Sequence, residues 1–221
     1  PIAEAVAKHL ASVAFFIDDN PELAHQHAIS AMRKASRIPV TRETYAITSY
    51  VTGDFATALR ELRTYRRLTG SNLQLALMID SERALGRSDR AIELGREANL
   101  EELPTDVRVQ VAIAMSGARL DLGQTLQALY ELEIPQLDPK RAYSWSPELF
   151  AAYAAVLEDL GRTEEANTWQ RRAFAAEEAL NEHQLGGALE VIEILEEEDL
   201  EDLKQVQQPT HSTRQEGERD K

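Results

Sequence analysis

The chain has no cysteine among its 221 residues, which removes disulfides, thiol catalysis and cysteine-ligated zinc together. Aromatic residues make up 6% of it, and no apolar run approaches the roughly 20 residues needed to span a bilayer. Enzymatic signatures are equally scarce. There is no phosphate-cradling glycine loop, no zinc-protease histidine pair and no nucleophile elbow. The five histidines are His9, His25, His27, His183 and His211, and the nearest two point apart on a helix. Glu22 and His25 match one half of a di-iron bundle motif, but no second half occurs, and Glu22 is better read as a first-turn acid. The expectation is a non-enzyme without metal or cofactor. A cysteine-free chain with 43% hydrophobic content suits a cytoplasmic protein with a continuous core.

What the chain does have is a glycine and an alanine five residues apart, recurring as Gly53/Ala58, Gly86/Ala91, Gly123/Ala128 and Gly161/Ala166. The glycines step by 33, 37 and 38 residues, the period of helix-turn-helix units stacked side by side. Glycine ends one helix in the left-handed conformation, and a small residue five places on lets two helices cross closely. Apolar residues at helical spacing flank each turn, as with Tyr45, Ile47 and Tyr50 before Gly53 and Phe55, Leu59 and Leu62 after it. Ser88, Ser146 and Thr163 read as N-caps. Asn20-Pro21-Glu22 reads as cap, first helical proline and first-turn acid, with Asp19 and Ala24 in the repeat register. About five hairpins are therefore expected, beginning almost at residue 1.

This pattern resembles the tetratricopeptide repeat family over residues 1–181. Gly53 takes the place of the family's turn glycine, Ala58 of its small residue, and Tyr45 and Leu62 of its aromatic or leucine positions. The family's tryptophan position holds Arg42, and its helix-ending proline is missing after residue 68. The stretch from Tyr143 to Phe150, running on to Gly161 and Ala166, is also similar to small actinobacterial repeat proteins. The resemblance implies an all-α fold, a right-handed α-solenoid, with a groove lined by the first helix of each hairpin.

Charge is unevenly placed. Residues 1–99 hold 13 Lys/Arg against 12 Asp/Glu, whereas residues 100–221 hold 11 against 26. The densest acidic stretch, Glu190 to Asp202, keeps apolar residues at Leu189, Ile192, Leu195, Leu200 and Leu203. Residues 182–206 are therefore expected to form an acidic C-terminal helix that caps the core, or a recognition segment hinged at Gly186-Gly187. Residues 207–221 are polar and without periodicity, the pattern of a disordered tail.

Two surfaces are candidates for partner binding. The groove positions include Glu43, Ile47, Tyr50, Leu77, Asp80 and Arg83, which offer apolar and aromatic surface with scattered charge. They lack the carboxylate clamp by which some tetratricopeptide domains hold chaperone C-termini, so an amphipathic helix or an apolar peptide fits better. The second surface is a convex arginine ridge of Arg33, Arg60, Arg63, Arg67 and Arg96, with no acid four residues before or after Arg60, Arg63 or Arg67 to neutralise it within the helix. Such a ridge serves solubility, an acidic protein or nucleic acid, but a sequence pI near 4.8 argues against a polyanion. The sequence thus points to a protein-protein interaction scaffold or adaptor. The alternative is a nucleic-acid accessory factor gated by the acidic segment. Trp145 and Phe150 are expected to form a hydrophobic staple around Ser146, and Trp169, Phe174, Phe15 and Phe16 to be core.

Overall fold

The structure, a computed structural model, describes residues 2–184 and 192–193. The fold is all-helical, with ten α-helices among the described residues: α1 (Ile2–Phe16), α2 (Pro21–Ala35), α3 (Pro39–Val51), α4 (Phe55–Thr69), α5 (Leu75–Ala84), α6 (Ser88–Glu97), α7 (Thr105–Asp121), α8 (Thr125–Leu132), α9 (Ser146–Asp159) and α10 (Thr163–Gln184). A short 3-10 turn at Leu100–Glu102 separates α6 from α7. One two-residue antiparallel pairing joins β1 (Arg141–Ala142) to β2 (Ile192–Glu193).

The tight turns follow from local chemistry. Gly53, Gly86, Gly123 and Gly161 all sit at φ between 69° and 81°, the left-handed region that a Cβ disfavours. At Gly53 the next residue completes the stop, because Asp54 N–H bonds back to Ser49 C=O at 2.8 Å. Asp54 then opens α4 by accepting the Thr57 N–H on its side chain at 3.0 Å. The turn between α1 and α2 is built differently, since no residue other than glycine has positive φ among the described residues. Asn20 Oδ1 accepts the Leu23 N–H at 3.1 Å, and Pro21 supplies the first helical residue without needing a donor.

Several capping and packing expectations are corrected. Ser88 is the first residue of α6, and its hydroxyl donates to Asp121 Oδ2 at 2.8 Å across to α7 instead of capping its own helix. Ser146 likewise lies inside α9, where Oγ accepts the Tyr143 N–H at 3.0 Å. Thr163 is the first residue of α10. The Trp145–Phe150 staple gives way to two other stacks: Trp145 lies flat on Tyr143 at 4.7 Å, and Phe150 meets Trp169 edge-on at 5.2 Å. Trp145 stacks on its neighbour in the connection and also packs against the core cluster of α7, α8 and α9. Phe15 and Phe174 are not core, being 75% and 61% exposed on the outward sides of their helices.

Burial follows chain order. Ala24, Ala58, Ala91 and Ala128 have no exposed surface, so their helices approach across a methyl group. One cluster joins Ala46, Leu59, Leu62 and Met78 of α3, α4 and α5. The next joins Leu75, Ile79, Ile92, Val111 and Met115 of α5, α6 and α7, and another joins Val109, Leu129, Leu132, Leu149 and Leu157 of α7, α8 and α9. Each cluster borrows from the following hairpin, because a single hairpin leaves one apolar face uncovered. Among the described residues the odd-numbered helices touch in succession, closely from α5 to α7, less from α7 to α9 and only slightly from α1 to α3 and from α3 to α5, and successive even-numbered helices touch less still.

The acidic helix expected over 182–206 falls largely outside the described residues, as do the Gly186-Gly187 hinge and the 207–221 tail. Within that range α10 runs on without a break from residue 181 to Gln184, and Ile192–Glu193 is extended, pairing Glu193 with Arg141. The boundary drawn at residue 181 therefore does not coincide with the end of a helix.

Candidate functional site

The last turns of the odd-numbered helices bring together three of the six groove candidates. Tyr50 near the end of α3, Asp80 and Arg83 on α5, and Asp121 closing α7 line a hollow of about 340 Å³ together with Phe55 and Ala84. Tyr50 and Phe55 meet edge-on with ring centres 5.5 Å apart across the Gly53 turn. Arg83 is the centre of the arrangement. Its Nη1 donates to Asp80 Oδ1 at 2.8 Å, and its Nε and Nη2 reach the two Asp121 oxygens at 3.0 and 3.4 Å. Burial works against the Arg83 charge, but the bonds to Asp121 and Asp80 outweigh it and raise its pKa.

Asp121 is held in the opposite sense. Partial burial disfavours its ionised form, while hydrogen bonds from Arg83 and Ser88 and the Arg83 charge overcome this and lower its pKa. Burial raises the Tyr50 pKa, and the Asp80 charge and the long 3.5 Å hydrogen bond that Tyr50 O–H donates to Asp80 add to the rise. Glu148 of α9 pushes Tyr50 the same way. The hollow is thus an aromatic wall beside two carboxylates and one guanidinium, with a net charge of one negative unit.

The other groove candidates do not join it. Glu43 accepts from Gln74 Nε2 at 2.9 Å, bridging α3 to the residue before α5. Leu77 packs against the core cluster of α3, α4 and α5, and Ile47 is half-buried on α3. Phe55 was read only as an apolar residue after the Gly53 turn, and Asp121 and Gly117 were not singled out by spacing. Gly117 lies in the interior of α7, and a Cβ there would stand 2.3 Å from Arg83 Cζ. A glycine inside a helix costs about 1 kcal/mol relative to alanine, which is the signal in the sequence that this position serves a close approach.

The arginine ridge is less free than helix spacing suggests. Glu61, buried in α4, accepts from Arg60 Nε at 3.0 Å and from Arg42 Nη1 of α3 at 2.5 Å. Arg63 donates to Glu82, which is buried in α5, and Arg87 Nη1 stands 3.6 Å from the other Glu82 oxygen. The neutralising acids sit one residue along and on the next helix, so a search at four residues could not find them. Arg33 and Arg67 are exposed, whereas Arg96 lies at the edge of a cavity between α6, α7 and α8.

Histidine pairing also crosses a hairpin. His9 and His27 face each other with their Nδ1 atoms 3.0 Å apart, and His25 bonds Thr48 Oγ1 at 3.0 Å. No group of three His, Cys, Asp or Glu side chains gathers among the described residues, and none of the described helices is long and apolar enough to cross a membrane. No protein-family model matches the chain, and no curated protein matches it.

Proposed function

We propose that this chain is a protein-interaction scaffold, a right-handed tetratricopeptide-like α-solenoid whose odd-numbered helices line a groove for a segment of a partner protein. Succession of contacts among the odd-numbered helices alone supports that architecture. The observation that carries the binding role is the Tyr50–Phe55–Asp80–Asp121 hollow, because an aromatic wall beside surplus negative charge suits the alkyl stem and cationic head of a lysine or arginine. The partner segment is therefore a peptide or helix with a basic side chain among apolar ones. The array is ordered beforehand, so little conformational entropy is lost on its side when the segment binds. A cysteine-free chain fits such work in the cytoplasm.

Arg60 and Arg63 already have carboxylate partners, so the alternative role on nucleic acid through Arg33, Arg60, Arg63, Arg67 and Arg96 draws less support. Panning a peptide library on the full chain tests the reading. Enriched peptides should share a Lys or Arg flanked by apolar residues and lose about tenfold in affinity against Asp80→Asn or Asp121→Asn. Enrichment of peptides without a basic residue, or equal binding to both variants, would overturn it. Steep loss of a nucleic-acid ligand between roughly 50 and 200 mM salt would favour the alternative.

A further inference from the structure

A second cavity lies away from the Tyr50 hollow, bounded by α6, α7, α8 and the connection after α8. Its volume is about 420 Å³, within the roughly 300–1,000 Å³ of small-molecule sites. Val111, Ala112 and Met115 of α7 form its floor, and Ile134 and Pro135 a wall. Gly95 lets α6 close onto this floor, since a Cβ there would stand 2.3 Å from Met115 Sδ.

The charged groups around this apolar interior are Arg96, Arg108 and Glu131, and the acid is already paired. Arg96 is exposed at the edge. Arg108 is half-buried, its Nη2 donates to Thr105 Oγ1 at 3.0 Å, and its Nε is shielded from solvent without a hydrogen-bond partner. Glu131 is the one acid in the lining among the described residues, and it is engaged by Arg119 Nε at 3.0 Å on α7. Two guanidinium groups consequently border an apolar chamber with no carboxylate spent on either among the described residues. An unmatched buried donor is costly, and a carboxylate is the group a guanidinium fork pairs with best.

The geometry points to this cavity as a binding site for an aliphatic carboxylate of medium chain length, its tail on Met115 and Ile134 and its head between Arg108 and Arg96. Inorganic phosphate satisfies the arginines but leaves the apolar floor wet, and an alcohol of equal length does the reverse. Decanoate, decanol and phosphate are the probes, each titrated into the full chain while the Met115 and Ile134 methyl signals are followed by NMR. Decanoate should give saturable shifts at both methyl groups and bind about tenfold more tightly than decanol. Arg108→Gln should remove that preference, and Arg96→Gln, at an exposed position that does not bear on folding, should reduce it severalfold. Equal binding of decanol and decanoate, or no saturable shift, would overturn the assignment. So would contacts from residues beyond 193 to the Met115 methyl in the free protein, because the chamber would then be filled by the chain itself.

Discussion

The guanidinium of Arg83 rests on Gly117, where an added Cβ would meet Cζ at 2.3 Å and Nη1 at the same distance. Only a residue without a side chain lets Arg83 cross the surface of α7 and reach Asp121. Gly117→Ala should displace the arginine, which is flexible enough to move, and return the Asp121 pKa toward the ordinary carboxylate range. Carboxyl NMR titration of the variant measures this. An unchanged Asp121 pKa would show that Arg83 reaches it by another path. Melting should move little, because the helix gains up to about 1 kcal/mol from alanine while losing partly exposed ion pairs.

The buried Glu82 carboxylate, 1% exposed, depends on Arg63 and Arg87. Arg63→Met leaves the charge with Arg87 alone and should cost about 1–2 kcal/mol, the lower part of the range for a charged buried group because Arg63 is itself half exposed. Adding Glu82→Leu should recover most of the loss, since an apolar side chain needs no partner there. Urea unfolding of the two single variants and the double variant gives the coupling. A coupling near zero would mean that Arg87 is sufficient.

Asp54 and Asp121 both have lowered pKa values, so their contribution to stability has a definite pH window. The main cause at Asp54 is the hydrogen bond from Thr57 N–H. A carboxyl depressed on folding contributes fully above its unfolded pKa of about 3.9, and the contribution is lost as pH falls through the folded value. Stability should accordingly hold from neutrality to about pH 5 with respect to these groups and decline below about pH 4. Asp54→Asn retains the cap but cannot titrate, so its acid decline should be shallower. Denaturation midpoints from pH 2 to pH 7 for both proteins decide this, and parallel curves would remove Asp54 from the account.

At the turn after α5, Gly86 has φ of 72° with nothing within 4 Å of an added Cβ. Gly86→Ala therefore isolates backbone strain from steric clash and should cost about 1 kcal/mol in calorimetry or chemical unfolding. A loss well below this would show that the turn relaxes into a right-handed conformation.

The turns at Gly53, Gly86, Gly123 and Gly161 and the opening of α2 at Asn20-Pro21 were readable in the sequence. Left-handed φ at Gly53, a side-chain cap at Asp54 and a proline opening α2 all depend on residues within about five positions, where local sterics and hydrogen bonds act. Half of the groove candidates came together because Tyr50 and Arg83 lie one repeat apart near helix ends, with Asp80 one turn before Arg83. Asp121 joined them without being foreseen. Its link to Arg83 is 38 residues long in sequence and passes over Gly117, a contact that no helical period encodes. The same holds for Arg63 with Glu82, for His9 with His27, and for Trp145, which chose Tyr143 over Phe150. The sequence alone thus determined where the tight glycine turns between paired helices fall, because those preferences are local, whereas the roles of Ser88 and Ser146 were set by contacts with neighbouring segments. Tertiary structure alone decided which charges are spent and which cavities remain, because ion pairing and burial depend on what the neighbouring helices place at a few ångströms.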